Sequence, residues 1–267
     1  MRALLRLTLL LGMALPALAQ AAPCPQPLRI GFLDTPVPQT LLGAGAQFED
    51  PPGWSVQVVR DTLQRLGCTA ELVRLPGRRL LLLLERGDLE FTLFFGPTAE
   101  RLRVFRFPLD SAGRADVAWA PVIGHLALYG LPGSPALKAW DGNTLPPGVR
   151  VGVVGGSTQE ALARERRWTV ETASSFESSV AALRARRFEL LLMSRESLPP
   201  GQLSGDDPLV ELAPLVERLP YFVPASRQVQ AGHPAFVTEF WRELCHQSRR
   251  QVPEARGLDC GARPPSR

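Results

Sequence analysis

Lysine is almost missing from this 267-residue chain: Lys138 stands alone, and every other basic side chain is an arginine. Thirty basic side chains barely outnumber twenty-six acidic ones, and the formal charge is +4. No polycationic stretch exists, so a nucleic-acid partner is not expected. Histidine is nearly as scarce. His125, His233 and His246 are scattered without metal-ligand spacing, so neither a metal nor another cofactor is expected. Neither a Gly-x-Ser-x-Gly elbow nor a Walker loop is present, which removes two common enzyme signatures. Long apolar runs are also absent after the N-terminus. Leu80 to Leu84 is five leucines, bracketed by Arg78, Arg79, Glu85 and Arg86. What remains, 45% hydrophobic and 21% charged, reads as globular and long enough to bury a core.

The N-terminus sets the expected compartment. Arg2 and Arg6 precede an apolar run from Leu7 to Leu15, and small residues follow at Ala17, Ala19 and Ala21. This is the pattern of a secretory signal over residues 1–19, with cleavage placed between positions 19 and 22. The apolar run is too short for a membrane anchor. The mature chain is therefore expected in a periplasm, where Cys24, Cys68, Cys245 and Cys260 would be oxidised. Cys24 and Cys68 each lie just before an expected strand, at one edge of the sheet if those strands are parallel neighbours. Cys245 ends an expected helix and Cys260 lies in the tail after it. The expected pairs are Cys24–Cys68 and Cys245–Cys260.

The mature chain holds one run of elements twice. The first has a strand at Leu28–Phe32, a helix at Trp54–Leu66 with Val56, Val59 and Leu63 on one face, and a strand at Glu71–Leu75. A helix at Arg78–Arg86 and a strand at Leu89–Phe95 complete it. The second opens with a strand at Val149–Val154. Ser157 and Glu160 form a capping-box pattern before a helix, and Thr169–Thr172 is a short strand. Ser174 and Glu177 repeat the capping pattern before a helix to about Arg186, and Phe188–Met193 is the last strand. Each run is β-α-β-α-β, which implies an α/β fold with a mainly parallel sheet and flanking helices. His125–Tyr129 is a further strand-like segment between the runs, and a strong helix starts near Pro234 with Phe236, Phe240 and Leu244 on one face.

Two such sheets make two lobes with a cleft between them, and ligands sit beyond the carboxyl ends of parallel strands. In the first lobe those ends lead to Asp34, to Arg78, and to Phe95-Gly96-Pro97-Thr98 with Arg101. In the second they lead to Gly156-Ser157-Thr158 and to Ser194-Arg195-Glu196. Arg101 offers a planar charged fork to a carboxylate. The Gly155-Gly156-Ser157-Thr158 turn either receives an anion at a helix N-terminus or is simply capped by Ser157 and Glu160. Arg78 adds positive charge to the cleft. Trp54 either walls the cleft or belongs to the core.

The order of elements from Leu28 to Leu244 resembles the bacterial extracellular solute-binding proteins of family 3, which have the two-lobed type II periplasmic fold. The residues carrying the resemblance are Gly53-Trp54-Ser55, Leu66-Gly67, Gly87, Leu89-Glu90, Thr98-Ala99-Glu100-Arg101, Phe105 to Phe107, and Gly156-Ser157-Thr158. The resemblance implies lobes at residues 23–114 with 219–267 and at 115–218, joined by a hinge. It also implies a monomer that captures a small polar or anionic solute for an ABC-type permease, with Arg101 clamping a carboxylate. The chain departs from the family at Ser194, where amino-acid binders carry an aspartate for the ligand's ammonium. Either Glu196 supplies that charge, or the ligand has no α-amino group; the second is favoured. Two alternatives remain: a cleft enzyme similar to cyclohexadienyl dehydratase, with Glu196 as its carboxylate, and a ligand sensor that reports to a membrane receptor.

Overall fold

The computed structural model describes residues 23–252, 255, 259 and 260; the expected signal segment lies outside them. In chain order the first part runs β1 (Arg29–Leu33), β2 (Gly43–Ala44), β3 (Gln47–Phe48), α1 (Trp54–Leu66), β4 (Glu71–Leu75), α2 (Gly77–Arg86), β5 (Phe91–Thr92) and α3 (Ala99–Val104). A long strand β6 (Val122–Gly130) follows, then β7 (Arg150–Val154), α4 (Thr158–Glu165), β8 (Thr169–Ala173), α5 (Phe176–Arg184) and β9 (Leu190–Ser194). The chain closes with β10 (Val210–Glu211), β11 (Glu217–Tyr221), α6 (Arg227–Gly232) and α7 (Pro234–Gln251).

The first sheet has the order β4-β1-β5, all parallel, with Ile30 opposite Leu72 on one side and Phe91 on the other. Alternate faces of β1 point to two helical layers. On one face Ile30, Phe32 and Phe91 meet Val56, Val59 and Leu63 of α1 and Phe236, Phe240 and Leu244 of α7. Phe91 stacks on Phe240 with ring centroids 4.3 Å apart. On the other face Leu80 and Leu84 of α2 join Leu89, Phe95, Phe105, Phe107 and Phe222. Helices α1 and α2 stop at Gly67 and Gly87, whose φ of 67° and 76° only glycine adopts without strain.

The second sheet has the order β8-β7-β9-β6, with β10 and β11 both against β6. Strands β8, β7 and β9 are parallel; β6 runs antiparallel to its neighbours. The expectation of parallel pairing therefore holds for each repeated run, and the segment between the runs adds the antiparallel strand. Both expected disulfides, Cys24–Cys68 and Cys245–Cys260, are formed.

Two local expectations change. The strand expected over Leu89–Phe95 narrows to Phe91–Thr92. Beyond it the chain turns at Phe94, whose φ is 60°, and pairs singly through Phe95 with Phe222. The capping box of α5 is built by Ser175 and Ser178, one position later than the expected Ser174 and Glu177. Ser178 can play the glutamate's part because its hydroxyl accepts the Ser175 N–H directly, at 2.8 Å.

Candidate functional site

A cleft of about 1050 Å³ lies between the carboxyl ends of the two sheets. Asp34, Trp54, Arg78, Phe95 and Arg101 line it from the first sheet's side; Gly156, Ser157, Thr158, Ser194 and Glu196 line it from the second's. Two expected site residues stand behind the wall instead. The Gly96 N–H donates to Thr158 Oγ1 at 3.2 Å, and Thr98 Oγ1 accepts the Arg101 N–H at 3.3 Å, capping α3.

Arg101 joins the two sides. Its Nη1 donates to Gly96 O at 3.0 Å and to Thr158 Oγ1 at 2.8 Å, and its Nη2 donates to Gly156 O at 2.8 Å. The guanidinium lies 5.0 Å from the centroid of the Phe95 ring. Only 6% of the residue is exposed, and among the described residues no carboxylate forms an ion pair with it. Burial pushes its pKa down to about 10, against the weaker pull of Tyr221 and Glu100. A buried cation held only by neutral oxygens is an unbalanced charge, and an anion would balance it.

The glycine-rich turn before α4 is capped internally. Ser157 Oγ accepts the Glu160 N–H at 3.1 Å, and Glu160 Oε2 accepts the Gly156 N–H at 2.6 Å. The capping alternative thus describes those groups, and the glutamate reaches one residue further back than a capping box does. Orphan amides of the first helical turn remain the donors this helix end can offer a ligand. Arg78 reaches across from the first side. A Cβ added to Gly156, which has φ +76°, would sit 3.1 Å from Arg78 Cγ.

At the end of β9, Ser194 and Glu196 form a bonded group. The Ser194 hydroxyl donates to Glu196 Oε2 in a short hydrogen bond. The His125 N–H donates to the same oxygen at 3.1 Å, while His125 Nδ1 lies 2.7 Å from Oε1. Partial burial raises the Glu196 pKa, but the bonds from Ser194 and His125 outweigh it and leave the carboxyl below its ordinary value. Tyr221 stands beside this group; its hydroxyl accepts from Gln159 Nε2 at 3.3 Å, and burial drives its pKa up.

The remaining wall is apolar. Trp54 both lines the cleft and packs on the core, with its ring 5.2 Å from that of Phe94. A phenylalanine at φ 60° is strained, a cost of about 1–3 kcal/mol that tertiary packing must override. The Asp34 carboxylate accepts one hydrogen bond, from Thr35 Oγ1 at 3.2 Å, and forms no ion pair among the described residues.

Sequence reasoning missed Phe94, His125, Gln159 and Tyr221. The first three carried no motif. Tyr221 carried none either; its place beside Ser194 and Glu196 depends on the pairing of β11 with β6. Arg74 was missed too. It is 3% exposed and holds the segment 34–48 that forms one side of the cleft.

No protein-family model and no curated protein matches the chain. Solved structures do. The GluR0 ligand-binding core from Nostoc punctiforme, in complex with L-glutamate, aligns at TM-score 0.64 and 16% identity, over 87% of this chain and 97% of that one. An ancestral amino-acid-binding protein, a precursor of cyclohexadienyl dehydratase, aligns at TM-score 0.61 and 15% identity, over 86% and 92%. An amino acid ABC transporter substrate-binding protein from Streptococcus pneumoniae, bound to L-arginine, aligns at TM-score 0.61 and 14% identity, over 87% and 92%. The chain has the two-lobed type II periplasmic binding fold.

Proposed function

We propose that this chain is a solute-binding protein that closes its two lobes over a small anionic or polar solute, with Arg101 receiving a carboxylate. The observation carrying this reading is the buried Arg101 guanidinium, which touches both sides of the cleft and has only neutral partners. Thr158 and the first amides of α4 would complete the anion site, and Arg78 would add charge at its mouth. Trp54 and Phe94 would hold the solute's apolar part, and Asp34 would accept a donor at the opposite wall. Gly96 and Thr98 serve by keeping Arg101 in place.

In this reading residues 23–114 and 219–267 form one lobe and 115–218 the other, moving as a hinge-closing pair. The protein acts as a periplasmic monomer, and its partner is an ABC-type permease; the N-terminal signal pattern and the shared fold support this. Arg101→Ala is expected to abolish thermal stabilisation by carboxylate solutes while the unliganded protein stays folded. Unchanged ligand stabilisation in Arg101→Ala refutes the assignment.

The enzyme alternative rests on Glu196. A carboxylate held by three donors and kept ionised is poorly suited to donate a proton, which favours binding without turnover. Prephenate incubated with the protein is expected to remain unconverted.

A further inference from the structure

We infer that His125 is a specificity-determining residue of the cleft: with Ser194 it engages Glu196 and makes the site select carboxylates that lack an α-ammonium group. This rests on the reading of the cleft as a carboxylate site and deepens it by naming the ligand class. The argument begins with what an ammonium needs. Three N–H donors leaving water require acceptors, one of them charged, or the binding free energy is lost to desolvation. On the second sheet's side of the cleft the only carboxylate on β9 or its following turn is Glu196.

That carboxylate is already engaged on both oxygens. Oε1 lies 2.7 Å from His125 Nδ1; Oε2 accepts the His125 N–H at 3.1 Å and the Ser194 hydroxyl. Ser194 is 2% exposed and spends its one proton on this bond. The imidazole itself does not line the cleft; it sits on β6 and holds Glu196 from the far side. The pairing of β6 with β9 fixes this arrangement, because Leu126 stands opposite Ser194 and places its neighbour His125 beside the turn that carries Glu196. Along the other edge of β6, Arg218 of β11 is the residue opposite His125, and Arg195 is bonded away to Glu211. On this side of the cleft an incoming ammonium would therefore compete with three bonds inside the protein, and Asp34 belongs to the opposite wall. An oxo group at the same carbon asks nothing of Glu196 and can accept from the Tyr221 hydroxyl, and a hydroxy group can donate to the lone pairs of Ser194 Oγ; both residues line the cleft.

His125 acts through Glu196, so it is a positioning residue, and the test reads selectivity. Matched solutes sharing one carbon skeleton serve as probes: L-phenylalanine, phenylpyruvate and 3-phenyllactate; L-leucine and 4-methyl-2-oxopentanoate; L-glutamate and 2-oxoglutarate. Calorimetric titration of the wild-type protein is expected to favour the oxo or hydroxy member of a set by about tenfold or more, one unbalanced polar group's worth. His125→Ala frees Oε1 and is expected to shift that ratio about tenfold toward the amino acid. His125→Asn, which keeps a donor for Glu196, retains the wild-type ratio, and Glu196→Gln added to His125→Ala removes the gain. Equal or tighter binding of the amino acid by the wild type overturns the proposal. So does an unchanged ratio, or no amino-acid binding at all, in His125→Ala. Failure of the underlying reading looks different: Arg101→Ala would then keep its binding to every probe, whatever the ratio at His125.

Discussion

Arg74 is the residue whose loss should cost the first lobe most, and the cost can be followed bond by bond. It lies on β4 and forms no ion pair among the described residues. Its five N–H groups reach five backbone carbonyls: Nε to Leu33 at 3.0 Å, Nη1 to Leu42 at 3.1 Å and Gln47 at 2.5 Å, Nη2 to Asp34 at 2.9 Å and Gly43 at 3.2 Å. A Cβ on Gly43 would stand 2.1 Å from Nη1, so the β2–β3 hairpin closes on the guanidinium only because that position is glycine. Arg74→Met keeps an unbranched apolar stem, ends short of the guanidinium's position and removes all five bonds. Charged hydrogen bonds are worth about 1.5–3 kcal/mol each, but the sum is not recovered. Hairpin carbonyls regain water, and the desolvation that lowers the arginine's pKa is no longer suffered. A net loss of about 3 kcal/mol follows, or about 10 °C in Tm for a chain of this size. Thermal unfolding and amide hydrogen exchange together check it: exchange should quicken over residues 34–48 before any other region. A Tm within about 2 °C of wild type, with exchange unchanged over that segment, refutes the account.

Two further outcomes follow from other contacts. At Gly96 an added Cβ would lie 2.5 Å from Thr158 Cγ2 and 2.8 Å from its Oγ1, so Gly96→Ala should wedge the two sides apart. It is expected to enlarge the radius of gyration in solution scattering and weaken carboxylate binding about tenfold, with Tm little changed; a wild-type scattering profile refutes it. Burial raises the Glu90 pKa against the opposing bond from the Arg29 N–H, so the folded chain holds a proton that the unfolded chain has released. Stability from this group falls as pH rises from the ordinary carboxylate range through the raised value. Glu90→Gln should therefore gain on wild type as pH rises through that window, and parallel pH–stability curves would sink the argument.

Much of the fold could be read from the sequence because its signals were local. Val56, Val59 and Leu63 mark the buried stripe of α1, and Gly67 and Gly87 mark helix ends. The internal repeat was legible down to its acids: Glu90 accepts the Arg29 N–H, and Glu189 accepts the Arg150 N–H, at the same place in each run. What the sequence hid was whatever depends on contacts between distant segments. His125 meets Glu196 across 71 positions, and Arg74 meets Leu33, Leu42 and Gln47 across 27 to 41. Phe94 looked like a strand residue because its local pattern is apolar; its positive φ is imposed by packing, which overrides propensity.

The near absence of lysine becomes meaningful at two of the arginines that stand in its place. Arg74 and Arg101 are both buried, and neither has an ion pair among the described residues. They differ in what is left over. Arg74 uses all five of its donors on carbonyls that converge from three directions, and burial among them makes it a structural core piece. Arg101 makes three bonds, uses only Nη1 and Nη2, and faces a cleft. A lysine ammonium has three donors on one atom and could reproduce neither arrangement. The distinction predicts how the two positions respond to an anion: a carboxylate has unfilled donors and an unbalanced charge to meet at Arg101, and no such opening at Arg74. Ligand binding should therefore slow exchange at the amides around Gly156 and Thr158, which Arg101 contacts, by more than at the hairpin that Arg74 already holds.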